Sequence, residues 1–75
     1  MHTSYYAITY KYLFGDGREV FGEQPFICNA QDLSRAKTLF NTAFPPPGEP
    51  GARWQILDVK AFPDLNSLME AFNLD

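Results

Sequence analysis

The sequence has little cysteine and little histidine: Cys28 and His2 are the only ones. One cysteine excludes an intrachain disulfide, and these two side chains are too few for a structural zinc site, which takes about four protein ligands. No stretch reaches the roughly 18–20 apolar residues of a membrane-spanning helix, and the chain opens without a secretory signal pattern. We therefore expect a cytoplasmic protein that uses no metal and no cofactor, since a lone thiol suits a reducing compartment.

Basic residues are also few, with six Lys and Arg against nine Asp and Glu and a net charge of −3. Nucleic-acid binding depends on basic side chains that displace counterions, so this balance argues against it. Arg35, Lys37, Lys11 and Arg53 form at most one small basic patch, and a solvated helix face explains Arg35 and Lys37 more simply. An acidic surface is compatible with a basic protein partner.

The residue patterns of catalysis are missing as well. His2 lies at the chain start, where side chains are usually mobile, and Cys28 falls in an apolar strand where we expect a buried, inert thiol. No two carboxylates are spaced as a catalytic or metal-binding pair. The sequence therefore predicts that the protein is not an enzyme.

Aromatic residues, by contrast, are abundant: seven Phe, four Tyr and one Trp in 75 residues. The length predicts a single domain, residues 1–75. Such a small domain buries only about 60% of the surface of its unfolded chain. Large aromatic side chains suit its core, and a dimer interface is another place to bury them.

Two β-strands joined by a turn are predicted at the start of the chain. Residues 4–14 alternate aromatic and β-branched residues at period two, as strands do. Gly15-Asp16-Gly17-Arg18 is a hairpin turn. Residues 19–29 form the returning strand, which Gly22 and Pro25 interrupt, so we expect it to be bent or bulged.

A long amphipathic helix follows at residues 32–43. Leu33, Ala36, Phe40 and Ala43 recur at spacings of three and four and predict its buried face, which Leu39 and Phe44 widen. Asp32 is a good N-cap residue, and Asn29 is the alternative cap for a helix that starts one turn earlier. The helix ends before Pro45, because proline cannot donate to the helix hydrogen-bond ladder, and residues 45–52 then form a Pro- and Gly-rich connecting loop.

A third strand is predicted at residues 53–62 and a short helix at residues 65–73. Strict alternation places Leu57, Val59 and Ala61 on one strand face and Trp54, Ile56, Asp58, Lys60 and Phe62 on the other. Asp64 caps the short helix, whose apolar stripe is Leu65, Leu68, Met69 and Phe72. Residues 67–70 also fit a capping box, which is the alternative of a later start.

The element order predicts an α+β fold, ββαβα. A three-stranded antiparallel sheet carries the long helix on one face, and the short helix either joins it or wraps an edge. The third strand is placed beside the first and antiparallel to it.

The sheet carries more aromatic residues than one helix can cover. Alternation puts Tyr5 on the opposite face of the first strand from Tyr6 and Tyr10, and the pattern leaves open which set is exposed. Tyrosine and tryptophan are enriched at interface hot spots, and an exposed aromatic patch commonly marks a partner surface. We expect the partner surface to comprise Tyr5, Tyr10, Tyr12 and Trp54 with the charges of Asp16, Glu19 and Asp58. If these aromatics are core, the surface is the exposed helix face around Arg35 and Thr38.

The layout, with its hairpin followed by Asn-Ala-Gln-Asp-Leu-Ser-Arg-Ala-Lys-Thr-Leu-Phe (residues 29–40) and one more strand, resembles small phage and mobile-element proteins. Some anti-CRISPR proteins are similar, being short, often acidic and built on a strand-strand-helix-strand core. The resemblance implies an inhibitor that binds and blocks a defence complex, such as a CRISPR effector, in the cytoplasm of a bacterial host. It assigns no functional residue.

The sequence thus predicts a non-enzymatic protein-binding module. Two other classes remain open. One is a small nucleic-acid-binding module, whose binding would weaken steeply with salt. The other is a structural homodimer subunit, which would sediment as a stable dimer.

Overall fold

The computed structural model describes residues 2–72 of the chain. Its elements are β1 (Ser4–Leu13), β2 (Glu19–Phe21), β3 (Phe26–Ala30), α1 (Leu33–Ala43), β4 (Arg53–Phe62) and α2 (Leu65–Phe72). These bounds confirm the predicted α+β fold with a long and a short helix. The predicted last residue of the short helix, Asn73, lies outside the described residues.

β1 is the central strand of an antiparallel sheet. β4 pairs with one side of it from Tyr5 to Leu13, whereas β2 and β3 share the other side. β2 and β3 are the two parts of the predicted returning strand, and residues 22–25 between them include Gly22 and Pro25. The predicted interruption is confirmed, since proline has no N–H to donate to a ladder. The sheet thus has four strands, with β2 and β3 together in the place of the one predicted returning strand.

A β-bulge in β4 overturns the alternation predicted for that strand. Thr9 lies opposite Asp58 but Tyr10 lies opposite Ile56, so Leu57 is an extra residue. An extra residue reverses which side chains point to which face.

Residues before and after the bulge in β4 therefore lie on the same face of the sheet, although strict alternation placed them on opposite faces. Trp54 and Ile56 lie on the same face as Val59, and all three pack against the core under α1. The prediction that Trp54 and Ile56 share a face with Asp58 and the residues beyond it was wrong, because a period-two pattern does not reveal an inserted residue.

α1 packs on β1 and β3. It starts where predicted, since the Asp32 carboxylate accepts a hydrogen bond of 2.8 Å from the Arg35 N–H. Ala36 and Phe40 are fully buried against Ile8. The predicted apolar face was too wide, however, because the helix contacts the sheet along one narrow line. The exposed members of that predicted face are Leu33, Leu39 and Ala43.

α2 lies on the opposite face of the sheet from α1, against β1 and β4. Asp64 caps it as predicted, accepting from the Ser67 N–H at 2.8 Å. Leu68 is buried and the Phe72 ring lies 5.9 Å from that of Phe62. The rest of the predicted stripe was wrong, because a helix of eight residues turns few of its positions toward the sheet. Leu65 and Met69 are exposed.

The two helices cover one end of the sheet only. Ala7 and Ile8, which point to opposite faces of β1, are 2% and 0% exposed. We call this part the covered end. Farther along β1 the sheet extends past both helices, and Val20 and Phe21 are 54% and 60% exposed there. We call the part formed by residues 10–14, 19–22 and 53–54 the open end.

Candidate functional site

Aromatic rings form a continuous chain from the core to the open end. The Tyr10 ring lies 5.4 Å from that of Phe40 and 5.9 Å from that of Trp54. Tyr12 continues the chain, 4.7 Å from Trp54 and 4.8 Å from Phe14, both in edge-on geometry. Such tilted and edge-on contacts are favourable, so rings at the open end are held rigidly although no helix covers them.

These rings line a groove of about 410 Å³ on the face of the sheet that carries α1. Val20, opposite Tyr12 in the ladder, provides the far wall. The lining is almost entirely apolar. Its residues are Tyr10, Tyr12, Phe14, Val20, Phe21, Gly22 and Trp54. We call this depression the aromatic groove.

Gly22 forms the floor of the aromatic groove where the chain approaches Tyr10. Its N–H donates to the Tyr10 carbonyl at 3.0 Å. A Cβ at this position would lie 2.6 Å from Cζ of Tyr10, which is closer than nonbonded atoms approach. The absence of a side chain at residue 22 therefore leaves room for the Tyr10 ring next to the backbone there.

The loop after α1 fixes Trp54. The indole Nε1–H donates to the Pro45 carbonyl at 3.2 Å, and Pro46 and Pro47 line a second depression beside the indole, of about 420 Å³. The loop also contacts the β1–β2 turn, since the Glu49 carboxylate accepts from the Gly15 N–H at 2.7 Å. The predicted connecting loop thus holds the open end at two places, Trp54 of β4 and the β1–β2 turn.

Charged groups surround the open end without entering the groove. Lys11 pairs with Glu19 on the face away from α1, and its ammonium lies 5.7 Å from the Phe21 ring centroid. In the turn, the Arg18 guanidinium lies 4.4 Å above the Phe14 ring. Hydrogen bonding from the Arg18 backbone N–H holds the pKa of Asp16 below its usual range, so that carboxylate stays charged at neutral pH.

The structure brings together three of the seven residues predicted for the partner surface: Tyr10, Tyr12 and Trp54. Tyr5 lies on the opposite face, paired with Phe62 at the covered end. The three predicted acidic residues are dispersed as well. Asp16 is in the turn, Glu19 faces away from the groove, and Asp58 is on the edge strand β4.

The predicted partner surface missed four of the groove residues: Phe14, Val20, Phe21 and Gly22. The pairing of Val20 with Tyr12 follows from counting across the hairpin turn, so that signal was present.

The small basic patch considered as an alternative is not assembled, because Lys11 points to the face of the sheet opposite α1. Arg35 and Lys37 lie exposed on α1, as the preferred interpretation of a solvated helix face has them. The helix face around Arg35 and Thr38 borders another depression, of about 560 Å³, next to Asn29. Its lining is about equally polar and apolar.

Other candidate chemical groups are placed as follows. Cys28 is half-buried against the core and burial raises the pKa of its thiol, so it is partly exposed where full burial was expected. His2 is exposed. Within residues 2–72, no group of three or more His, Cys, Asp and Glu side chains is placed to hold a metal ion.

Neither α1 nor α2, the helices of the described segment, has the length and apolar character needed to cross a membrane. Comparisons of the chain with protein-family models, with curated proteins and with solved structures found no match.

Proposed function

We propose that this protein is a non-enzymatic protein-binding module that holds its partner in the aromatic groove. One observation carries the proposal: a groove lined by rings and a valine stays open to solvent on a very small domain. Monomeric proteins rarely expose contiguous apolar surface without a binding role. Tyrosine and tryptophan at such a site supply large contact area with little loss of conformational entropy.

The rigidity of the groove supports a binding role. Trp54 is held by its hydrogen bond to Pro45 and by contacts with Tyr10 and Tyr12. Side chains that are already ordered lose little freedom when a partner binds, so more of the contact energy appears as affinity.

Charge favours a protein over a nucleic acid as the partner. Stacked aromatics do bind single-stranded bases, but that mode uses a basic groove along the phosphate backbone. At the open end Lys11 is paired with Glu19, and in the adjacent turn Arg18 is paired with Asp16. Arg53 is the one basic side chain of the open end without an ion pair within residues 2–72, and a single cation does not make a basic groove. The net charge of −3 opposes phosphate binding further.

As the consequence of binding, we propose inhibition of a bacterial defence complex of the CRISPR type. The support for this role is the layout resemblance described above. It predicts that the protein, added to a purified CRISPR effector complex, lowers target binding or cleavage.

The test uses two variants with the same charge change. Val20→Glu places a carboxylate in the groove wall, whereas Ile27→Glu places one on the other face of the sheet, opposite Ala7. Both positions are exposed, 54% and 38%, so both variants should fold. Immobilised wild-type protein and variants are used to capture proteins from bacterial lysates that include CRISPR effector complexes.

We expect wild type and Ile27→Glu to retain one partner reproducibly and Val20→Glu to lose it. Tyr12→Ala should weaken affinity for that partner about 30-fold, the equivalent of a hot spot of about 2 kcal/mol, with its melting temperature measured on the same sample. Equal retention by all variants would place the interface outside the groove. No retained partner in any lysate would overturn the binding proposal itself.

A further inference from the structure

β4 is a long strand with one unpaired edge. It has ten residues and pairs with β1, and no other strand of the described chain pairs with its outer side. The opposite edge of the sheet is divided between β2 and β3, of three and five residues. An unpaired edge presents backbone N–H and C=O groups that can extend the sheet into another chain.

The second half of β4 is the accessible part of this edge. α1 lies over β1 and β3 and so leaves the β4 side of its face open. Leu57 is 41% exposed and Ala61 is exposed as well. On the other face Asp58 and Lys60 point outward, two residues apart, and neither forms an ion pair within residues 2–72.

We propose that two copies of this chain dimerise by antiparallel pairing of their β4 strands about a two-fold axis at Val59. In that register Val59 lies opposite its own copy. Asp58 lies opposite Lys60 of the partner subunit, and the two-fold axis creates this pair twice. Opposite charges directly across an antiparallel ladder stabilise the pairing.

Charge complementarity selects this register over its neighbours. Directly opposite residues of an antiparallel pair share a face, so each symmetric register centres on one residue. Centring on Asp58 would place two carboxylates opposite each other, and centring on Lys60 would place two ammonium groups opposite each other. Like charges directly opposite are unfavourable.

The bulge limits the pairing to one partner and one segment. It lies at Leu57 and disrupts the ladder on that side, so regular pairing about Val59 is confined to residues 58–60 of each copy. In its described part, each chain has one long unpaired edge, that of β4. When two β4 edges pair about a two-fold axis, no long edge remains unpaired. The interface is therefore closed, and the assembly stops at a dimer.

Sedimentation of the full chain over a range of concentrations tests the proposal. We expect a monomer–dimer equilibrium. Asp58→Lys and Lys60→Asp should each raise the dimer dissociation constant roughly tenfold, because each places like charges opposite one another at two symmetric sites. The double variant should restore it. Lys37→Asp, with the same charge change as Lys60→Asp on an exposed helix position, is the matched control and should have no effect.

Three results would overturn this dimer. The first is a monomer at every concentration up to the millimolar range. The second is a dimer insensitive to both single charge reversals. The third is a dimer that Val20→Glu dissociates while the β4 variants leave it intact, since that would mean association through the aromatic groove. If the wild-type protein bound no partner through the aromatic groove while the β4 dimer formed, the proposed function would be contradicted and the dimer would stand.

Discussion

The covered and open ends of the sheet share the central strand β1 but use their aromatic residues differently. At the covered end Tyr6 and Ile8 are 9% and 0% exposed beneath α1. At the open end Tyr12 and Phe14 have the same spacing and similar side chains, yet they line a groove. The length of β1 relative to the helices makes this difference. Strand composition alone does not separate a core residue from a surface residue.

The largest expected effect is at the covered end. Phe40→Ala removes a ring that is 1% exposed and lies within 6 Å of the rings of Tyr10, Phe26 and Phe44. We expect a loss of about 3–5 kcal/mol in the free energy of unfolding, measured by urea denaturation. A domain of this size has little more than that in total, so the variant should be largely unfolded at 25 °C.

Leu39→Ala is the control for that substitution, because Leu39 is the adjacent helix residue and is 36% exposed. It should shift the urea midpoint only slightly. Equal shifts for the two variants would mean that α1 does not pack along the line of Ala36 and Phe40, and the contrast between the two ends would then fail.

A smaller effect is expected at the open end from Gly22→Ala. The added Cβ would lie 2.6 Å from the Tyr10 ring, so the ring or the strand must shift. Overpacking of this kind costs about 1–3 kcal/mol. Gly48→Ala is the matched control, since a Cβ there meets no atom within 4 Å. Melting temperatures that fall equally, or not at all, would contradict the close approach of the chain to Tyr10.

The smallest effect concerns Asp64, which caps α2 at the covered end. The Ser67 backbone N–H bonds to this carboxylate and lowers its pKa from 3.8. A carboxylate whose pKa is lower in the folded state stabilises the fold above its unfolded pKa, and the benefit disappears as pH falls through the folded pKa. Wild type should therefore be more stable than Asp64→Asn at about pH 7.

Chemical denaturation at about pH 7 and about pH 2.5 measures this dependence. The stability difference between wild type and Asp64→Asn should shrink at the lower pH, because protonation removes the charge of the Asp64 carboxylate. A difference that persists unchanged at low pH would show that the charge of Asp64 contributes nothing to helix capping.

The sequence by itself determined the elements and their ends, because these depend on local chemistry. Asp32 and Asp64 cap the helices they were expected to cap, and the prolines after Phe44 end α1. Gly22 and Pro25 divide the returning strand, since one lacks a side chain and the other lacks an N–H. Placement of β4 beside β1 followed from the same patterns.

Tertiary structure alone decided which side chains meet. The bulge at Leu57 brings Trp54 to the face of Tyr10 and Tyr12, and no local pattern marks an inserted residue. Likewise, Tyr6 and Tyr12 look equivalent on one face of the strand, but α1 covers Tyr6 and does not reach Tyr12, which lines the groove. Burial depends on how far one element extends beyond another, and that is fixed only when the elements pack together.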